Sequence, residues 1–478
     1  MAATQRPAHF DRSIIEGSLG PAVWRLAWPT MLQNAIGGLQ GIIDHALVGH
    51  FIGYTANAAI GVSWQIFLVV IVFISSLYAG MGVLVARFAG AGDRDAVDQA
   101  VGQAFLVSLF LGAVIMAPLG YALSPRLLQF VNAAPEVRDT ALPFLRLMFV
   151  GGIGLLTFFM LGGAFRAAGD PRTPLRLGIV LTTLNIVFNV VLIRGAGPIP
   201  AFGATGAAMG TVLASLIVAV LGLMAMRSPD AAIHLPNLTS LRPDWKIIRQ
   251  LFRFGLPTGF QGVAMNIGGV LLLRFIGALP QSAEAQAAYA IAYTELFSLI
   301  TFTSVGVMGA TAAVVGQNLG AGKLERAWRA VRVSARLAFG VAIGVGLLFL
   351  LVPQLLLAIF GVDDAATSAI ARSLLRHLAV SGLFVTVALA YTGALQGSGD
   401  TRSPFYISVV SQVVVPLGLC LLWQRIGTFE PVDIWRAIVA GHMTRCLLSI
   451  ARFRQGKWQR IVVDVGRSAP DQARPEVT

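Results

Sequence analysis

Twelve apolar runs, each long enough to cross a lipid bilayer, constrain this chain more than any other feature. They lie near residues 23–50, 57–85, 101–123, 143–165, 177–195 and 203–226, and again near 251–279, 287–316, 333–360, 377–396, 405–427 and 434–451. A hydrocarbon core of about 30 Å takes roughly 20 helical residues to cross. No water serves the backbone N–H and C=O groups there, so each run must satisfy them internally, as a helix. The composition agrees. Hydrophobic residues make up 56% and charged residues only 12%, about half of the roughly 25% charge that covers a water-exposed fold. A string of soluble domains is excluded, and an all-α polytopic membrane protein is expected. Cys420 and Cys446 both fall in apolar runs with no partner at metal-ligand spacing, which makes them packing residues.

The runs divide six and six around residues 227–249, the longest polar stretch, which holds Pro229, Pro236 and Pro243 with Asp230, Arg242, Asp244 and Lys246. Prolines and charges at that density mark a linker, with the helix resuming over 250–258. The expected organisation is an N-terminal segment 1–22, a first lobe 23–226, the linker, a second lobe 250–453 and a tail 454–478. An internal repeat supports it. Gly163-Ala-Phe-Arg-Ala-Ala-Gly-Asp-Pro-Arg-Thr-Pro174 matches Gly393-Ala-Leu-Gln-Gly-Ser-Gly-Asp-Thr-Arg-Ser-Pro404 at an offset of 230, and Gly90-Ala-Gly92 matches Gly320-Ala-Gly322 in the same register. Pro29-Thr-Met-Leu-Gln33 matches Pro257-Thr-Gly-Phe-Gln261 at 228. Six is even, so both halves start on the same side. The repeats are parallel, related by an axis along the membrane normal, with a central cavity between the lobes.

Orientation follows from the basic residues. If both termini are cytoplasmic, 25 of the 35 Lys and Arg residues fall on that side, the asymmetry that sets topology in membranes. Basic loops beside anionic headgroups also account for the net charge of +13, with no need of a nucleic-acid partner. The first 22 residues show no apolar core followed by a small-residue cleavage site, so the first span is expected to be retained.

Of the 22 acidic residues, Asp44 and Glu295 alone fall inside the spans. A carboxylate at the bilayer centre costs about 2.5 to 3.5 kcal/mol on an insertion scale, which makes each a functional candidate. Gln33, Gly37, Gln40 and Asp44 step by 4, 3 and 4 residues and form one narrow helical stripe, expected to face a watered cavity. The counterpart of Asp44 in the repeat, near Leu272, is apolar, so the scaffold does not demand the acid. Thr182, Asn185 and Asn189 form a second polar stripe, Gln261 and Asn266 stand in the seventh span, and Tyr289, Tyr293 and Ser298 flank Glu295.

At these motifs the chain resembles the multidrug and toxic compound extrusion (MATE) family of cation-coupled antiporters over nearly its whole length. The resemblance rests on Pro29, Asp44-His-Ala-Leu-Val-Gly49, Asn185, Gly316-Gln-Asn-Leu-Gly-Ala-Gly322 and the Gly-Asp turns ending at Asp170 and Asp400. It implies two lobes that open alternately to each side of a bacterial inner membrane, a monomer, and export of small organic, lipophilic cationic compounds. The coupling ion would be a proton or sodium, with no other cofactor. Asp44 is the implied coupling acid, and Gln33, Gln40, Asn185, Asn189, Gln261, Asn266 and Glu295 are the candidate cavity residues. Some members carry an acid where Asn189 stands, and sodium-coupled members carry further acids in the seventh and tenth spans, where this chain has Gln261, Met265, Asn266 and Val385. That weakens sodium coupling through the second lobe.

Other readings compete less well. Flipping of a lipid-linked sugar diphosphate calls for a basic cavity, with Arg274 and Arg445 as the candidate intramembrane bases. Gly90-Ala-Gly-Asp93 and Gly397-Ser-Gly-Asp400 fit the Gly-x-Gly-Asp of intramembrane aspartyl proteases, but two facing acids inside the membrane are needed for that chemistry and these follow the spans. The Gly-rich turns lack the Lys-Ser/Thr of a phosphate loop and no His-Glu-x-x-His occurs, so neither ATP nor metal chemistry is indicated. Trp64, Phe67, Phe158, Phe159, Met160, Met265 and Phe302 are packing residues or parts of a soft pocket for flat cations. The topology is open to labelling. Cysteines introduced at Ser240 and Ser468 are expected to resist an impermeant thiol reagent in intact cells and to react after lysis; reaction of either in intact cells reverses the orientation.

Overall fold

The structure is a computed structural model that describes residues 10–229, 231–235, 242–362, 364–427 and 429–463. Ser240 and Ser468 lie outside the described residues. After a one-turn helix, Ser13–Glu16, the chain forms twelve helical rods. The first lobe holds α1 (Leu19–Phe51), α2 (Tyr54–Ala91), α3 (Arg94–Phe130), α4 (Pro135–Gly151 and Ile153–Ala168), α5 (Arg172–Arg194) and α6 (Gly203–Ala225). The second holds α7 (Trp245–Gly277), α8 (Ser282–Gly320), α9 (Leu324–Leu351), α10 (Ala365–Ser398), α11 (Arg402–Ile426) and α12 (Pro431–Arg454).

Side-chain caps carry α3, α7 and α10 past the starts of their apolar runs. Asp93 accepts the Ala96 N–H at 3.0 Å at the start of α3, and Asp364 accepts the Thr367 N–H at 2.7 Å at the start of α10; each satisfies an orphan donor of the first turn. Asp244 does the same for Lys246 at 2.9 Å, so α7 begins at Trp245, five residues before the point expected from hydropathy. The linker's flanks are strapped to α3: His234 donates its backbone N–H to Asp98 at 2.8 Å, and Gln103 bonds the Arg242 carbonyl at 2.8 Å. α4 bends by 48° between its two pieces, and Pro353 ends α9 before a short helix, Pro353–Ile359, where one run over 333–360 was expected. α3, α8 and α11 carry π-helical turns at Phe110–Met116, Ala290–Leu296 and Val410–Val414. Large apolar side chains such as Val270, Leu351 and Ile359 are exposed, as suits rods whose outer faces meet lipid.

The repeat is visible atom by atom where the lobes touch. On the side carrying the termini, the Gly90 backbone lies against the Gln317 carbonyl, and 230 residues later Gly320 lies against the Arg87 carbonyl. Only a residue without Cβ permits that approach. Arg87 donates to the Ser398 carbonyl at 3.0 Å, and Gln317, its counterpart, to the Ala167 carbonyl at 2.8 Å. The first helix of each half also leans on the second helix of the other: α1 meets α8 where Gly306 abuts Met31, and α7 meets α2 where Gly80 abuts Leu251. Farther along these helices the ring of Phe302 packs on Gly38 and that of Phe260 on Phe73, while Val69, Met265 and Ile267 are exposed. The paired Gly-Asp motifs are turns: Gly169 and Gly399 end their helices at φ of 101° and 97°, and Asp170 and Asp400 cap the next by accepting the N–H groups of Thr173 and Ser403. Asp400 is also paired with Arg452 at 2.7 Å, so the Gly-x-Gly-Asp strings do not form a pair of facing catalytic acids.

A side chain at position 90 would meet the Gln317 carbonyl, so Gly90→Val should hold this seam apart. A cysteine at Ser398, fully buried here, is then expected to react with a thiol reagent several times faster than in the parent protein; an unchanged rate would show that the seam does not depend on Gly90.

Candidate functional site

Inside the first lobe the two polar stripes face each other. Thr182 donates to Gln40 Oε1 at 2.8 Å, and Asn189 donates through Nδ2 to Asp44 Oδ1 at 2.8 Å. Asn189 Nδ2 also reaches Asn185 Oδ1 at 3.2 Å, and Asn185 donates to Thr211 of α6 at 2.9 Å, whose hydroxyl donates to the Ala207 carbonyl at 3.1 Å. Asn189 thus donates both to the half-buried Asp44 carboxylate and into a chain of hydrogen bonds that runs away from it through Asn185 and Thr211, with Asn185 and Asn189 fully buried behind the acid. From Gln40 to Asp44 the α1 stripe therefore meets α5, within one lobe. Gly210 of α6 makes the geometry possible, because a Cβ there would meet Asn189 Oδ1.

The other end of the stripe shows what the sequence reading missed. Gln33 accepts from Arg166 Nη1 at 3.3 Å, and in the second lobe Gln261 accepts from Gln396 at 3.3 Å. Arg166 and Gln396 occupy the same place in the repeated motif. One brace is charged and the other neutral. Arg166, just past the apolar run 143–165, reads in the sequence as one of the basic loop residues; it stands within α4 and, with Ser75, Tyr78, Phe159 and Gln396, lines a cavity of about 310 Å³ between the lobes. The signal was present in the aligned motif, where Arg166 faces Gln396.

The second-lobe candidates do not gather into one site. Gln261 is buried and donates to Ser408 at 2.9 Å, whereas Asn266 turns its amide back to the Gly262 carbonyl at 2.9 Å. Glu295 is exposed on the π-helical turn of α8. It lies seven residues, two helical turns, before Phe302, whose ring packs on Gly38 of α1. Among the aromatic and methionine candidates, Phe67, Phe158 and Met160 are buried packing residues, while Trp64, Phe159 and Met265 remain exposed. Val385, in the tenth span, is buried. Among the described residues no group of three acidic, His or Cys side chains could hold a metal ion.

Comparison with known proteins follows the repeat. A single family model, MatE, matches residues 29–191 and again residues 257–422. The chain belongs to the MatE family. It is 26% identical to a probable multidrug resistance protein NorM of Thermotoga maritima over 92% of this chain and 93% of that one. It is 28% identical to a probable NorM of Deinococcus radiodurans, covering 90% and 94%, and 26% identical to multidrug resistance protein MdtK of Pectobacterium atrosepticum, covering 90% and 94%. The fold matches a solved outward-facing conformation of a multidrug resistance MATE family transporter with a TM-score of 0.86 at 21% identity, over 96% of this chain and all of that one. This MatE protein is a multi-pass membrane transporter with twelve helices in two lobes, and not an enzyme.

Gly210 offers a test of the Asn189–Asp44 contact. A hydrogen bond to a charged group is worth about 1.5 to 3 kcal/mol, so Gly210→Ala, which displaces Asn189, should slow transport by roughly ten- to a hundredfold. Gly344→Ala, at a glycine in α9 with open space around it, should leave transport within about twofold. Equal rates for the two variants in a vesicle assay would remove the contact from the mechanism.

Proposed function

We propose that this transporter exports organic, lipophilic cationic compounds in exchange for inward-moving protons, with Asp44 as the group that proton and substrate bind in turn. The observation that carries the reading is Asp44 itself: an intramembrane carboxylate that accepts a hydrogen bond from the neutral amide of Asn189, at a position whose repeat counterpart, near Leu272, is apolar. A carboxylate accepting a neutral amide attracts a cation; once protonated it no longer does. The asymmetric placement of that one acid supports coupling in the first lobe, and the multidrug resistance relatives support organic substrates. Val385 and Gln261 in place of acids make sodium the weaker alternative.

Both termini are assigned to the cytoplasm, so the seam at Gly90 and Gly320 closes the inner side. With the cleft opening outward, the carboxyl gains a proton at lower external pH and releases its cation. With the cleft opening inward, the proton leaves and a new cation enters. Exchange of one proton for one singly charged cation moves no net charge, so the pH gradient drives it, at about 1.4 kcal/mol or roughly tenfold accumulation outside per pH unit. Glu295 on the outward half of α8 adds negative charge near the mouth of the cleft. A lipid-linked sugar flippase is the second reading, favoured only by Arg166 on the cavity wall.

The test is efflux of a fluorescent lipophilic cation from vesicles under an imposed pH gradient and, separately, an imposed sodium gradient. The parent protein should respond to the pH gradient. Asp44→Asn keeps the size and can still accept from Asn189 but does not titrate, so it should reach the membrane and lose the response. Uphill efflux by that variant at the parental rate would remove Asp44 from coupling.

A further inference from the structure

The second lobe contains a buried positive charge with no counter-charge among the described residues. On α12 the inward face carries Trp435, His442, Arg445 and Ser449, which are 0, 4, 3 and 0% exposed. Their spacing of seven, three and four residues places them on one stripe, with Arg445 next to His442 at i−3 and Ser449 at i+4. Trp435 Nε1, His442 Nδ1, Arg445 Nε and Ser449 Oγ are all buried without a hydrogen-bond partner. Aromatic rings of α8 close the stripe from the side: Tyr289 stacks on Trp435 at 6.3 Å, Tyr293 on Tyr289 at 4.8 Å, and Phe297 on His442 at 5.8 Å between centroids. The four ion pairs among the described residues join Arg25 to Asp11, Arg329 to Glu325, Arg436 to Asp433 and Arg452 to Asp400; Arg445 is in none of them.

A guanidinium stays protonated in proteins, and burying one without a counter-charge costs several kcal/mol. Water can satisfy its donors but cannot neutralise it. The scaffold does not require it either, since α6 holds Val212 and Ser215 at the positions 230 residues earlier. We propose that the interior of the second lobe is a binding site for a small monovalent anion, chloride or the carboxylate of an amphoteric substrate, held against Arg445 with His442 and Ser449 as hydrogen-bonding neighbours. At 3% exposure the Arg445 side chain is too enclosed to meet a lipid diphosphate. The two lobes then carry opposite single charges on one repeated frame, Asp44 in the first and Arg445 in the second. The anion site does not depend on the coupling role of Asp44, and a failure of either leaves the other standing.

The test is thermal unfolding of the purified full-length protein, followed by tryptophan fluorescence, with isethionate, a bulky sulfonate without a carboxylate, as the only anion and chloride added in steps. Chloride should raise the melting temperature saturably, and at a hundred times its dissociation constant the folded-to-unfolded ratio rises about a hundredfold. Arg445→Gln should melt no lower than the parent in isethionate and ignore chloride, because the uncompensated charge is gone. A purely structural arginine gives the reverse, a variant less stable in every buffer. If Arg445→Gln does not reach the membrane, Arg445→Lys carries the test: a shifted chloride midpoint supports the site and an unchanged midpoint overturns it. The source of the anion is read from two further arms. Acetate acting like chloride, together with chloride slowing efflux of a dye bearing a free carboxylate but not of its methyl ester, identifies a substrate carboxylate; chloride raising the melting temperature without that competition identifies the inorganic ion. A melting temperature that ignores both chloride and acetate, or an equal chloride response in Arg445→Gln, overturns the proposal.

Discussion

The lobes of this transporter meet most closely where backbone lies against backbone at glycines. Gly90 against Gln317 and Gly320 against Arg87 form a two-fold pair, locked by the crossed hydrogen bonds of Arg87 and Gln317 to the ends of α10 and α4. Within lipid, helices gain little from burying apolar surface against one another, so close approach at small residues and a few directed hydrogen bonds carry association. Such contacts are short-ranged and few. They can be made and broken as a unit, which is what a cleft that alternates between two sides requires.

The one-turn helix at the start of the chain belongs to this seam. Ile14 is fully buried beside Gly169 of the first lobe, while Asn318 and Lys323 of the second donate to the carbonyls of Ile14 and Ile15 at 3.3 and 3.0 Å. The interlobe closure is therefore made by both repeats and by a segment that lies outside the repeat.

On a nearly symmetric frame, departures from symmetry carry the chemistry. The Gln33 brace takes a charged donor, Arg166, where the Gln261 brace takes a neutral one, Gln396. Asp44 has no acidic counterpart near Leu272, and Arg445 has no basic counterpart near Ser215. Each of these three groups is costly in a low-dielectric interior, and each sits in a surrounding that the other lobe builds without it.

Much of the architecture was legible in the residues. Hydrophobic runs of fixed length, a linker rich in proline and charge, and the motifs repeating at 230 gave the twelve helices, the two halves and their parallel relation, because bilayer thickness and backbone satisfaction leave a chain few alternatives. The stripes Gln33–Gln40–Asp44 and Thr182–Asn185–Asn189 were legible too, since helical periodicity alone puts such residues on one face. Periodicity does not say which helix lies opposite. That the stripes meet each other inside the first lobe, that Arg166 leaves the loops for the cavity wall, and that Arg445 lies buried without an acid were decided only when the rods packed. Helix formation is local and is written in consecutive residues, whereas the partner of a polar group comes from elsewhere in the chain: Asp44 meets Asn189 at a separation of 145 residues, through a gap that Gly210 on a third helix leaves open.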